Sequence, residues 1–341
     1  MIGPVWWVAL SGGVDSAVAA ALLRESGAHV VGVTLDLGLG EETIASARGV
    51  AAALGIDHRV IDARERFLEA VIDPFARAYA EGVTPNPCVL CNEHVKLGLM
   101  LPAAIEAGAT GLATGHYARI VGPAGQRRIA RAADGRKDQS YFLYRLTPAV
   151  LEHVAFPLGE LTKAQVRARA RDLDLPVAER AESQDVCFLS GTTAGRFVSS
   201  RGLGGNMPGP VVDLEGRVIG EHTGICHYTP GQRKGLPGGA GPLFVVAIDP
   251  LRNAVVAGPR EACEVSRVIL RDEVWHGSPD EVEAVCVRVS TAPIRCRVVR
   301  SDRPTRLELE HPVCSAPGQA AVCYRGDVVV GGGTIVRERS A

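Results

Sequence analysis

Two short stretches hold residues whose types and spacing suit chemistry. In TPNPCVLCNEH, Thr84 to His94, Cys88 and Cys91 form a C-x-x-C just after two prolines, on what reads as a loop that cannot become helix. In LSGGVDSAV, Leu10 to Val18, Gly12 and Gly13 lack side chains, so backbone N–H groups can close on phosphate oxygens where a helix begins. Ser11 and Ser16 offer hydroxyls there, and Asp15 offers a carboxylate able to hold Mg²⁺ beside the phosphates. No G-K-[ST] follows and the glycine spacing is not G-x-G-x-x-G, so neither a Walker A loop nor a dinucleotide fingerprint fits. The thiol pair admits four chemistries: a zinc knuckle, a redox dithiol, a nucleophile with a neighbour, or part of an iron–sulfur site.

Other signals are weaker. In TGHYARI, Gly115 can let the backbone approach a base, and His116 can reach a polyanion. Residues 122–145 hold six basic residues (Arg127, Arg128, Arg131, Arg136, Lys137, Arg145) against Asp134 and Asp138, with Tyr141, Phe142 and Tyr144 interleaved. Cations beside aromatics suit phosphates and an unstacked base, and equally suit a solvated hairpin next to a core strand. A second basic run (Arg295, Arg297, Arg300, Arg303, Arg306) has the alternation of a wet sheet face. Cys187, in ESQDVCFLSG, sits in a strand-like segment of the kind that usually packs inside.

These residues need a frame. A chain of 341 residues, 46% hydrophobic and 22% charged, is long enough for two or three folded domains and is not broadly disordered. A net charge of -1 gives no global pull toward nucleic acid or membrane, so a nucleic-acid surface must be local. No apolar run reads as a membrane span, and the apolar N-terminus lacks the basic flank of a signal peptide, so a buried first strand is expected and no membrane partner. Nine cysteines without a disulfide spacing indicate a reducing, cytoplasmic setting. Cys226, Cys263, Cys286, Cys296, Cys314 and Cys323 are expected to pack as small buried hydrophobes.

The first half alternates β-rich runs (VWWVAL, AHVVGVTL, HRVID, TGLATG) with helical ones, including a helix over NEHVKLGLMLPAAIEAGA whose N-cap is Asn92. That alternation predicts an α/β domain with a parallel sheet and ligands beyond the carboxyl ends of its strands. Thr162 and Gln165 form a capping box opening another helix. After about residue 204, alternating runs broken at Gly, Asp and Pro predict mostly β structure. The expected domains are 1–204, catalytic; 205–262, small and β-rich; and 263–341, a β-barrel.

S-G-G-x-D-S in a first strand-to-helix turn resembles the PP-loop of ATP pyrophosphatases, which adenylate an oxygen and release pyrophosphate. The ordered set SGGVDS, TPNPxxxCN, TGHYAR, KDQSYFL, FPLGELTKxQVR, SQDxCF, GxHTG…YTPGQRKGL and PGQ(A)AV resembles the tRNA-specific 2-thiouridylases (MnmA type) over nearly the whole chain. The resemblance implies a PP-loop domain, a small central domain and a C-terminal barrel, with ATP and Mg²⁺ as cofactors, and as partners a tRNA carrying a target wobble uridine and a sulfur donor. It implies that Ala9, Leu10, Ser11, Gly12, Gly13, Val14, Asp15 and Ser16 hold the ATP phosphates, and that Leu35 and Gly115 contact the adenosine. It makes Cys91 the nucleophile and Cys187 the persulfide carrier. It places Asn86, Pro87 and Cys88, with Lys137, Asp138 and Gln139, around the target base, and His116 and Gln319 at tRNA contacts. The chain departs from the family pattern in the short TLDLGLGEET segment, at Ser290–Thr291 in place of Arg-Tyr, and at Cys88, where many members have Asp.

Zinc needs four ligands, and no C-x-x-C or C-x-x-H is present outside the TPNPCVLCNEH stretch. Two readings of the thiols stay open. In one, Cys91 and Cys187 exchange persulfide and disulfide, with Cys88 accessory. In the other, Cys88, Cys91 and Cys187 ligate a [4Fe-4S] cluster whose fourth iron delivers sulfide. The competing functions are a PP-loop ligase or amidotransferase on a small metabolite, a non-catalytic RNA-binding protein, and a desulfurase-like enzyme on thiolated bases.

Overall fold

The computed structural model describes residues 3–181, 186–238, 241–289, 291–299 and 304–337. The chain separates into two compact units. The first comprises Met1–Val71, Cys88–Gln184 and Asp327–Val329; the second comprises Ile72–Pro87, Asp185–Gly326 and Val330–Ala341.

The first unit is built on a parallel sheet. Its strands are β1 (Val5–Ala9), β2 (His29–Asp36), β3 (Asp57–Asp62), β4 (Gly111–Thr114) and, beyond a β5 (Ala118–Val121) and β6 (Arg128–Arg131) hairpin, β7 (Val154–Ala155). The sheet order is β3-β2-β1-β4-β7, all pairs parallel. Central strands β1, β2 and β4 are apolar on both faces because helices cover both sides, whereas edge strand β3 carries Asp57, Arg59 and Asp62. Helices α1 (Val14–Glu25) and α2 (Glu42–Leu54) press a small-residue face onto the sheet, with Val8, Ala17, Val18, Val30, Ala47 and Val50 in one buried cluster. Strand order reverses at β1: β2 lies on one side and β4 on the other. This is the switch point where the loops after adjacent strands diverge and leave a crevice.

The TPNPCVLCNEH stretch departs from expectation. Helix α3 runs from Pro87 to Glu106, through a π-helical turn at Cys91–Lys96. Proline at the first helical position forfeits no intrahelical hydrogen bond and presets φ, so the prolines start the helix rather than block it. Cys88 and Cys91 therefore stand three residues apart on a helix, and Asn92 is not its cap. Asn92 is buried inside the π-helical turn and donates from Nδ2 to the Phe142 carbonyl at 3.2 Å. Contrary to the sequence reading, α3 is long and apolar enough by length and composition to cross a membrane. Its Val95, Leu97, Met100, Leu101 and Ala104 are instead buried in the protein, with Glu93 and Lys96 interrupting the run. The capping box forms as expected at helix α4 (Lys163–Asp172): Thr162 accepts from the Gln165 N–H, and the Gln165 side chain accepts from the Thr162 N–H.

The second unit holds two β assemblies. Strands β8 (Gly209–Val212), β9 (Val218–His222), β10 (Phe244–Asp249) and β11 (Ala254–Gly258) form a sheet in the order β10-β11-β8-β9 over Val211, Ile225, Tyr228, Val245 and Ile248. Strands β12 (Glu264–Trp275), β13 (Ala284–Cys286), β14 (Ile294–Val299), β15 (Arg306–Cys314), β16 (Ala320–Arg325) and β17 (Val328–Val336) form an antiparallel barrel. Pairing of β12 with β17 closes it, which leaves no open edge among the six. Of the six cysteines expected to be core, Cys226, Cys263, Cys286 and Cys323 are buried; Cys296 and Cys314 are only half-buried.

Candidate active site

The last paired residues of the two switch-point strands are Ala9 and Thr114, so the loops that follow start side by side. The first loop is held from several directions. Leu10 donates its N–H to the Val33 carbonyl at 2.8 Å, and its own carbonyl accepts from Thr34 Oγ1 at 2.8 Å. Thr34 has one hydroxyl proton, so the 2.8 Å contact to His58 Nε2 is a donation from the imidazole. Burial, helped by Arg48, lowers the His58 pKa and favours that neutral ring. Ser16 Oγ accepts from the Ser11 N–H at 3.2 Å and donates to the Gly13 carbonyl at 3.0 Å, tying the loop to the first turn of α1. Gly12 has φ +67, and a Cβ there would lie 2.7 Å from the Ser46 Cβ, so only glycine fits. Ser46 Oγ and Arg180 Nη1 both donate to the Gly12 carbonyl at 2.9 Å, fixing that peptide in place.

Gly115 stands tight against the start of α1. A Cβ on it would meet Ser16 N at 2.7 Å and the Asp15 carbonyl carbon at 2.8 Å. The missing side chain lets the β4 loop pack on the start of α1. Leu35, near the end of β2, is buried and in register with Ile61 of β3.

Asp15 is the loop's carboxylate and is fully engaged. Lys163 Nζ donates to Oδ1 at 2.6 Å and to Oδ2 at 2.8 Å, and the Tyr117 hydroxyl donates to Oδ1 at 2.7 Å. Lys163 is the first residue of α4. Its N–H donates to Asp134 Oδ2 at 3.1 Å, and that backbone bond is the main reason the Asp134 carboxyl lies below its usual pKa. Tyr117 also reaches the KDQ segment: its N–H donates to Gln139 Oε1 at 2.9 Å, and the Gln139 N–H donates to its carbonyl at 2.8 Å. Asp138 organises the turn beside it, accepting from the Ala132 N–H, the Ser140 hydroxyl and Arg131. The Lys137 N–H closes a turn onto the Asp134 carbonyl.

His116 follows Gly115 and is buried, 9% exposed, with Nδ1 at 2.7 Å from Thr114 Oγ1. Burial, with Lys96 nearby, pushes its pKa down to about 3. It is a neutral imidazole at physiological pH, so a contact from it to a polyanion is a neutral hydrogen bond.

Cys91 is buried and Cys88 is half-buried, both on α3. Burial raises the Cys88 pKa, with Lys96 opposing it. Cys187 belongs to the second unit and is exposed, in a 3₁₀ turn (Cys187–Leu189) rather than a buried strand. The turn is held by its neighbour Phe188, which packs edge-on against Phe75 with ring centroids 5.0 Å apart. Glu182 to Asp185 lie outside the described residues. Also in the second unit, Asn86 Nδ2 donates to Gln319 Oε1 at 3.1 Å, Asn86 Oδ1 accepts from the Ala320 N–H at 2.6 Å, and Gln319 Nε2 donates to the Thr84 carbonyl at 3.1 Å. Two expected tRNA-contact residues are thus joined, next to the Pro87 helix start.

The basic stretches are less available than composition suggests. Arg127 pairs with Glu152, Arg131 with Asp138, and Arg145 with Glu93 at 2.5 Å. Tyr141 and Tyr144 are buried core residues, not a stacking platform; Phe142 is half-buried. On the barrel, Arg297 pairs with Glu308, as a wet sheet face would; Ser290, Arg300 and Arg303 lie outside the described residues. Sequence reasoning missed Lys163, Tyr117, Arg180 and Ser46. Tyr117 and Lys163 stood inside quoted motifs, TGHYAR and LTKxQVR, but nothing local marked them as partners of Asp15.

The switch-point loop, its backbone donors and its paired carboxylate define a nucleotide-binding domain of the PP-loop type, in a chain that continues into a small β domain and a closed barrel. Residues 5–191 match the tRNA methyl transferase HUP domain family, 199–259 the tRNA methyl transferase PRC-barrel domain, and 265–335 the aminomethyltransferase beta-barrel domain. A tRNA-specific 2-thiouridylase MnmA from Chloroflexus aurantiacus is 46% identical over 98% of this chain and 99% of its own length. One from Parvibaculum lavamentivorans is 44% identical over 98% and 91%. The chain belongs to the family of tRNA-specific 2-thiouridylases of the MnmA type. Among solved structures it is similar to a 4-thiouridine synthetase–RNA complex with bound ATP, at 18% identity and TM-score 0.37 over 54% of this chain and 45% of that one. A predicted subunit of a tRNA methyltransferase from Methanocaldococcus jannaschii gives 18% identity and TM-score 0.36 over 50% and 76%.

Proposed function

We propose that this chain is an ATP-dependent tRNA sulfurtransferase that replaces the C2 oxygen of a wobble uridine with sulfur, working in the cytoplasm with Mg²⁺–ATP, tRNA and a sulfur donor. The observation that carries the reading is a phosphate loop at the β1–β4 switch point in the same unit as Cys91, in a chain related end to end to 2-thiouridylases.

A uridine C2 carbonyl is a poor electrophile. Attack of its oxygen on the α-phosphorus of ATP forms a C–O–P link, expels pyrophosphate and makes that oxygen a leaving group. The terminal sulfur of a persulfide on Cys187 then attacks C2, and AMP departs with the C–O electron pair. The Cys91 thiolate attacks the inner sulfur, breaking the S–S bond. That frees the 2-thiouridine and leaves a Cys91–Cys187 disulfide, which a thiol reductant reopens. The exposure of Cys187 suits loading by a protein carrier. Ala9 to Ser16 hold the phosphates, with Asp15 the loop's ligand for Mg²⁺. Leu35 and Gly115 border the adenosine. Asn86, Pro87, Cys88, His116, Lys137, Asp138, Gln139 and Gln319 serve tRNA binding.

A [4Fe-4S] cluster would need thiolates from Cys88, Cys91 and Cys187 together. Cys88 and Cys91, three residues apart on α3, could supply two of these thiolates, and a bound iron would itself drive their deprotonation. The exposure of Cys187 to a carrier favours the relay, and no step is routed through a cluster.

The test supplies Mg²⁺–ATP, an unmodified tRNA transcript and a persulfide-loaded carrier, and reads nucleosides by mass spectrometry. The expected result is 2-thiouridine, with tRNA-dependent release of pyrophosphate and AMP, abolished in Cys91→Ser. No thiolated nucleoside and no tRNA-dependent pyrophosphate would sink the proposal. Loss of thiouridine from a pre-thiolated tRNA would point to the desulfurase instead. Iron and acid-labile sulfide near one cluster per anaerobically prepared chain, lost in Cys88→Ala, would replace the relay with the cluster.

A further inference from the structure

Two thiols that the relay does not use meet in the second unit. Cys263 Sγ donates to the Val245 carbonyl at 3.4 Å and is also in hydrogen-bond contact with the Cys314 thiol. We propose that Cys314 and Cys263 form a second redox site of this chain, in which a hydroperoxide oxidises Cys314 and Cys263 closes the product to a disulfide. The site needs neither ATP nor tRNA, so it stands apart from the sulfurtransferase reading.

Three observations carry it. First, the strands hold the pair together. β12 and β15 run antiparallel with Glu264 opposite Cys314, so Cys263 is one residue from the register partner of Cys314. Neighbouring strands lie about 4.8 Å apart, within the span a disulfide bridges. Second, the two sulfurs differ in access. Cys263 is buried, and burial together with the neighbouring Cys314 pushes its pKa up to about 12. Cys314 is half-buried and is the sulfur a small oxidant reaches first. Third, a cation attends the accessible sulfur. A Cβ on Gly231, which has φ +84, would lie 3.1 Å from Cys314 Sγ and 3.2 Å from Arg288 Nη2, so sulfur and guanidinium border one spot that glycine leaves open. Among the described residues no carboxylate pairs with Arg288. A positive charge there stabilises the negative charge a sulfur carries when it attacks an O–O bond.

The chemistry balances. The Cys314 thiolate attacks one oxygen of the hydroperoxide, the O–O bond breaks, and the other oxygen leaves with a proton as water or an alcohol. Cys314 is now a sulfenic acid. Cys263 attacks that sulfur, its thiol proton passes to the departing hydroxide, and water leaves. Two thiols are oxidised and one peroxide is reduced, and a thiol reductant reopens the bridge.

The experiment treats the reduced full chain with stoichiometric hydrogen peroxide, blocks the remaining thiols and maps peptides without reduction. The expected result is a Cys263–Cys314 disulfide that dithiothreitol reverses. In Cys263→Ser the sulfenic acid should instead persist on Cys314 and be trapped by dimedone. Arg288→Met keeps both thiols and should slow formation of the disulfide roughly three- to tenfold, as losing a cation beside a reacting thiolate predicts. Exposed Cys187 serves as the internal control for oxidant. Full recovery of Cys314 as a free thiol in wild type, at a dose that oxidises Cys187, would overturn the inference. So would dimedone label confined to other cysteines in Cys263→Ser.

Discussion

Tyr117 and Gln139 are paired in both directions, the Tyr117 N–H to Gln139 Oε1 at 2.9 Å and the Gln139 N–H to the Tyr117 carbonyl at 2.8 Å. The Tyr117 hydroxyl meanwhile reaches Asp15 at 2.7 Å. The KDQ segment, expected to lie near the target base, is therefore two contacts away from the phosphate loop, within one unit. Tyr117→Phe should cost about 1 kcal/mol of stability, the usual worth of one hydrogen bond. It should also uncouple the two segments: Gln139→Ala should weaken ATP binding in the wild-type background and have little further effect in Tyr117→Phe. A double-mutant cycle on ATP affinity reads this, and strict additivity would deny the link.

Gly115→Ala places a methyl group 2.7 Å from Ser16 N and 2.8 Å from the Asp15 carbonyl carbon. Both are backbone atoms that cannot swing aside. The substitution should cost about 1–3 kcal/mol, as overpacking does, and raise the KM for ATP by shifting the start of α1. A thermal melt and an ATP titration check both effects. An unchanged melting temperature would show that the loop yields at no cost.

Acid should destabilise the first unit through His116. Its folded pKa, about 3, lies below the unfolded value of 6.5, so between these limits the unfolded chain takes up a proton that the folded chain refuses. The stabilisation is fully present above pH 6.5 and is lost as pH falls toward 3, with a slope of at most about 1.4 kcal/mol per pH unit. His58, also held low, adds in the same direction. Urea melts from pH 7 to 5 should show a shallower slope for His116→Gln than for wild type. Identical slopes would mean that His116 titrates normally.

The three thiols of the proposed chemistry should react with iodoacetamide in a fixed order at pH 7.5. Exposed Cys187 should label first. Half-buried Cys88, its pKa raised by burial, should follow much more slowly, and buried Cys91 should label last. Peptide mapping against time reads the order. Cys88 labelling ahead of Cys187 would contradict the environments described.

Much of this molecule is local and was legible in the residues. SGGVDS needs glycines where a strand turns into a helix, and Gly12, at φ +67 against Ser46, meets that need. Apolar runs alternating with helical periods fix a parallel sheet, because strands covered on both faces must be apolar on both. The Thr162–Gln165 box caps its helix from residues three apart. The state of the thiols was not legible: Pro87 looks like a helix breaker in isolation and proves to be a helix starter. Nor was the exposure of Cys187, nor the burial of Tyr141, Tyr144 and His116. Least legible of all was the charge of the site. Asp15 meets Tyr117 and Lys163, 102 and 148 residues on, only because sheet order puts β4 beside β1 and the chain returns to set the start of α4 there. Spacing along the chain determines what a turn can bind. Only the packing of distant elements, each buried for its own apolar face, decides which charges surround it.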